Sequence, residues 1–115
     1  MSVSKGFGQY GGIQKVSFKL LDTAGTPSIT GVFPRAAASD ISVVDTATGR
    51  ATVTIKNFKG QQGVANIQLT PQTTSLSAAA VSRSYSGDDL SFEISVEDDS
   101  STLTDSSVDV SVEVY

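Results

Sequence analysis

Carboxylates are the most chemically suggestive residues of this chain. Asp88, Asp89, Glu97, Asp98, Asp99, Asp105 and Asp109 stand in or beside the polar stretches of its last third. Oxygen ligands in loops suit calcium, and two opposed carboxylates can run glycoside hydrolysis as acid and base. Neither pattern is completed. EDDSSTLTD, from Glu97 to Asp105, lacks the EF-hand spacing and the glycine that makes its sharp turn. Glycoside hydrolysis asks for a cleft and stacking aromatics, but the chain has no Trp, and most of its five Phe and three Tyr sit at core-like positions. Cys and His are absent too. That excludes a disulfide framework, a Cys or His metal site, a thiol nucleophile and a Ser-His-Asp triad. The expectation is a non-enzymatic protein with no cofactor and no metal.

Nucleic acid and membrane are equally poor matches. The net charge is −4 and the basic residues are scattered singly, the best local group being Lys56-Asn57-Phe58-Lys59-Gly60. Gly6 to Gly12, GFGQYGG, resembles a phosphate loop only in composition, since it lacks the Lys-Ser/Thr pair. No apolar run is long enough to span a bilayer, and no signal peptide follows Met1, so synthesis in a cytosol is expected. Binding chemistry remains. On the glycine-rich segment Met1–Gly12, Lys5, Phe7 and Tyr10 supply one charge and two rings, which can anchor in a partner's groove.

The elements that must carry such groups are strands. Ser, Thr and Val number 18, 12 and 13 in 115 residues, and β-branched side chains fit a pleated surface better than a helix. Residues 1–12 have no periodicity and four glycines, and read as a flexible arm. From Ile13 the period is two: Val16, Phe18 and Leu20 oppose Lys15, Ser17 and Lys19. Ile29–Phe33 reads as a short strand, limited by Gly31 and stopped by Pro34, and Arg35–Asp40 as a loop with room for one helical turn. Ile41–Asp45 and Ala51–Phe58 flank TATGR as a hairpin with a four- or five-residue loop. Ala65, Ile67 and Leu69 alternate up to Pro71, and Leu76–Tyr85 is a further strand. Leu90, Phe92, Ile94 and Val96, then Val108, Val110, Val112 and Val114, alternate without fault. Residues 13–115 are thus one all-β domain, an antiparallel β-sandwich of immunoglobulin-like or jelly-roll type with seven or eight strands.

Charge divides along the chain. Residues 1–83 hold all eight bases and three acids, whereas Ser84–Tyr115 hold nine acids and no base. Either the two parts pair across neighbouring strands, or they form a polar surface able to dock on copies of the chain or on a larger assembly.

The stretches VTIKNFKGQQGVANIQLTP (Val53–Pro71) and SYSGDDLSFEISVEDDSSTLTD (Ser84–Asp105) give the folded part, from Ile13 on, a texture that resembles the accessory virion proteins of tailed, marine-type bacteriophages. The resemblance implies a virion structural protein, with head decoration favoured over tail or fibre. Its partners would be copies of itself or a major capsid or tail protein. It assigns no residue a role. The alternative is a carbohydrate-binding or adhesin-type sandwich module, which would display aromatics in a row or cleft. Tyr10, Tyr85 and Tyr115 are the tyrosines available for that.

Overall fold

The computed structural model describes residues 8–10, 13–23, 26–59, 62–73 and 75–115. The chain is a β-sandwich, as its alternation predicts. Nine strands are described: β1 (Gly8–Tyr10), β2 (Ile13–Thr23), β3 (Thr26–Phe33), β4 (Ile41–Ala47), β5 (Arg50–Ile55), β6 (Ala65–Pro71), β7 (Ser77–Ser86), β8 (Asp89–Glu97) and β9 (Val108–Val114). Every pairing is antiparallel. The first sheet runs β3-β2-β9-β6, with β1 also paired to β2, and the second runs β4-β5-β8-β7. Since β9 occupies one edge of β2, β1 and β3 share the other, end to end: Gly8 lies opposite Lys15 and Phe33 opposite Ser17.

Inward residues of the two sheets meet in one core. Val16, Phe18 and Leu20 of β2 and Val108, Val110, Val112 and Val114 of β9 face Val53 and Ile55 of β5 and Leu90, Phe92, Ile94 and Val96 of β8, all buried. Each such side chain stabilises the fold by roughly 1.5–3 kcal/mol on leaving water. The four strands with the cleanest period are therefore the central ones. Edge strands β3, β4, β6 and β7 contribute half-buried residues instead, such as Ile29, Val43, Ile67 and Ala80. An edge strand has core on one side only, which explains its weaker pattern.

Connections fill in the sequence reading at one place and depart from it at two. Arg35–Asp40 is a 3₁₀ helix whose Ala37 is fully buried at the core margin. β5 stops at Ile55, not Phe58; Asn57 takes φ +55° and swings Phe58 under the sandwich, where it is fully buried. The β4–β5 connection is tighter than four or five residues, because Ala47 already pairs with Arg50 around Thr48-Gly49. Of the segment read as an arm, Gly8–Tyr10 lies along β2, whose Ile13–Lys15 edge offers backbone partners.

The molecule extends 42 × 23 × 23 Å. The 11 residues of β2 alone reach about 36 Å at ~3.3 Å per residue, so the long axis follows the strands.

Candidate functional site

Alternation in β3 should turn Ile29, Gly31 and Phe33 to the same side. It does not. Ile29 and Val32 pack on the core, three residues apart, and Phe33 stands 69% exposed. Gly31 is the cause. It adopts φ +64°, and the register beside it jumps: Ser17 faces Phe33 while Lys19 faces Thr30, so two steps along β2 match three along β3. A β-bulge of this kind reverses which residues point inward beyond it. Glycine takes that backbone conformation without the cost of roughly 1–2 kcal/mol that a Cβ would bring.

The bulge places an aromatic ring on the outer face of the first sheet, in line with polar residues of its neighbours. One cross-strand row reads Phe33, Ser17, Ser111, Gln68; the next reads Thr30, Lys19, Asp109, Thr70. Ser17, Lys19, Asp109, Ser111, Gln68 and Thr70 line an open groove of about 380 Å³, with the bare backbone of Gly31 at its side. The third row, Lys15, Glu113 and Asn66, closes the face at the far end. There Lys15 Nζ lies 3.6 Å from Glu113 Oε1, and the Tyr115 hydroxyl donates to Glu113 Oε2 at 3.0 Å. That hydrogen bond, with burial and the carboxylate charge, holds the Tyr115 pKa above its ordinary value.

The outer face of the second sheet is built differently. Thr54 Oγ1 and Ser91 Oγ share a hydrogen bond of 2.8 Å. Glu93 accepts from Thr46 Oγ1 at 2.9 Å and from Arg50 Nη1 at 3.3 Å. These five side chains engage one another, and Val44 is the large exposed apolar residue of this face.

Three of the last-third carboxylates, Asp89, Asp98 and Asp105, brace turns and connections. Asp98 Oδ1 accepts the backbone N–H of Ser100 and of Thr102, both at 2.9 Å. Asp105 Oδ1 accepts the Gly49 N–H at 2.7 Å, tying the β8–β9 connection to the β4–β5 turn. Asp89 Oδ1 accepts the Asn57 N–H at 2.9 Å. Among the described residues, no three Asp or Glu are grouped to hold a metal ion. A second depression, about 370 Å³ between β6 and β7, is crossed by a clasp from Arg83 Nη1 to the Ala65 carbonyl at 3.0 Å.

Lys5 and Phe7, expected to anchor a partner, lie outside the described residues, as does the Tyr10 side chain; the Tyr10 backbone pairs with Ile13. The other two tyrosines are separate. Tyr85 packs half-buried on the second sheet, its hydroxyl 3.5 Å from the Lys59 carbonyl, and burial raises its pKa against the lowering effect of Arg83. Tyr115 belongs to the first sheet. Phe33 was not singled out by the sequence reading. Its signal was the three-residue gap between Ile29 and Val32 with a glycine inside it.

Comparison with known protein families, curated proteins and solved structures finds no match.

Proposed function

We propose that the chain is a non-enzymatic structural protein of a virion, of the head-decoration kind, that docks end-on to the particle surface or to its own copies. The observation that supports end-on docking is the order of charge along the long axis. One end gathers Asp45, Glu97, Asp98, Asp99 and Asp105, and the base at the start of β5 there, Arg50, is held by Glu93. The opposite end carries Lys56 and Lys59 beside Asp88 and Asp89, joined there by the Phe58 N–H to the Asp88 carbonyl at 2.8 Å. Elsewhere, bases of the first part of the chain stand across strands from acids of the last third: Lys15 and Glu113, and Arg50 and Glu93, form ion pairs, and Lys19 lies opposite Asp109 in register. Cross-strand pairing thus neutralises the middle of the molecule and leaves one acidic end. A rigid rod with one charged end presents a basic partner surface with an oriented contact. Lys5, Phe7 and Tyr10 belong to this reading as further contacts from the start of the chain.

Two measurements test it. Mass spectrometry of purified particles should find the chain in many copies. Cosedimentation with particles should weaken as salt rises, and the double variant Asp45→Lys/Asp99→Lys should weaken it at low salt without unfolding the sandwich. Absence from particles, or binding indifferent to both salt and charge reversal, contradicts the proposal.

A further inference from the structure

We infer that the groove on the outer face of the first sheet binds a neutral saccharide, with Phe33 as the platform for the sugar ring. This goes beyond the end-on assembly reading and uses a different surface.

The chemistry of the lining is balanced. Lys19 and Asp109 face each other across β2 and β9, so the groove carries one charge of each sign and no net charge. Ser17, Ser111 and Thr70 offer hydroxyls that donate and accept, and Gln68 offers an amide that does both. A sugar ring presents the same set: hydroxyls that each donate and accept, with no net charge. A phosphate or a carboxylate would meet a single cation beside an anion. The groove side chains stand on three adjacent strands, whose register fixes the spacing of their Cα atoms. Its volume of about 380 Å³ lies in the lower part of the roughly 300–1,000 Å³ range of small-molecule sites.

The ring is the second, independent observation. Phe33 lies directly opposite Ser17, which lines the groove, and Gly31 lines the groove as bare backbone. Sugars have apolar C–H faces that stack on aromatic rings. Here a left-handed glycine turns outward a phenyl group that plain alternation would bury. A ring so exposed, at the strand position opposite Ser17, with the Gln68 amide three strands away across the groove, fits a ligand that is apolar on one face, polyhydroxylated around its rim and long enough to run across the sheet.

The test is native gel electrophoresis of the full chain through gels holding dextran, mixed-linkage β-glucan, galactomannan or agarose. Parallel gels hold alginate or heparin. Calorimetric titration with an oligosaccharide of the retarding polymer then gives Kd. We expect at least one neutral polymer to retard the chain. Phe33→Ala should weaken Kd about fivefold or more, from the ~1 kcal/mol that an aromatic contact contributes. Gln68→Ala should weaken it as well, Phe33→Tyr should retain it, and Val44→Ala, on the other sheet, should leave it unchanged. Because Phe33 and Gln68 are exposed, their variants should melt with the parent. Retardation by no neutral polymer, retardation by alginate or heparin alone, or a Kd indifferent to Phe33→Ala overturns the inference.

Discussion

The two outer faces of this sandwich have the same raw material and different states of engagement. Both are rows of Ser, Thr and a few charged residues on four antiparallel strands. On the second sheet five of these groups are spent on each other: Thr54 on Ser91, and Thr46 and Arg50 on Glu93. On the first sheet only the row at the Tyr115 end is closed in this way; the two rows beside Phe33 form an open groove. Composition alone does not make a surface receptive. Receptiveness depends on register, which decides which polar groups find partners within the fold and which are left to meet a ligand. One residue, Gly31, sets that register at the edge of the first sheet.

The largest expected effect lies beneath both faces. Phe92→Ala in β8 should lower stability by about 3–5 kcal/mol in denaturant unfolding, because it empties the shared core. The neighbouring Ser91→Ala should cost far less, close to the ~1 kcal/mol of its single hydrogen bond to Thr54. Equal costs would mean that the strand is out of register.

Two glycines with left-handed backbones sharpen the contrast between the sheets. A Cβ at Gly49 would lie 2.6 Å from the Thr104 nitrogen and 2.9 Å from the Val96 oxygen. Gly49→Ala therefore combines backbone strain with overpacking and should cost about 2–4 kcal/mol by thermal or chemical unfolding. A Cβ at Gly31 would meet nothing within 4 Å. Gly31→Ala should cost only the backbone strain, about 1–2 kcal/mol. If Gly31→Ala proved the more damaging, the open edge described for β3 would be wrong.

Smallest are the surface substitutions. Glu93→Ala removes the acceptor shared by Thr46 and Arg50 and should destabilise by about 0.5–1.5 kcal/mol, reduced by solvent around the half-exposed Arg50. Gln68→Ala in the groove should stay within about 0.5 kcal/mol of the parent. A Gln68 cost as large as that of Glu93 would erase the difference between the two faces.

The parts legible in the sequence follow from how many sides of a residue the core touches. β8 and β9 sit centrally, so every second residue is buried, and their alternation reads without error from Leu90 to Val96 and from Val108 to Val114. Gln14 shows the limit of the same logic: it shares the parity of Val16 and is buried with it, although its type suggests a wet position. Phe58 and Ala37 are buried by connections that swing under the sandwich, and no period marks a connection. The acidic stretches suggested chemistry by composition, whereas their geometry is that of backbone capping, which any short acceptor at the right turn position performs. The groove was hidden because it joins residues 17, 19, 68, 70, 109 and 111, distant in sequence and adjacent only through sheet order. Phe33 was hidden because aromatic residues in strands are expected inside, and its exposure depends on a bulge one turn of the pleat away.

That exposure is the most direct point of attack. The chain has no tryptophan, so Phe33→Trp introduces a single indole, excited selectively over the three tyrosines, at the position opposite Ser17 of the groove, and Phe18→Trp introduces the same reporter on the inward side of neighbouring β2. Acrylamide quenching of the two variants compares their access to water. The account predicts that the indole at position 33 emits at long wavelength and is quenched freely, while the indole at position 18 emits at shorter wavelength and is shielded. Equal shielding at both positions would contradict it: Phe33 would then face the core, Gly31 would not shift the register, and the first sheet would have no aromatic beside its groove.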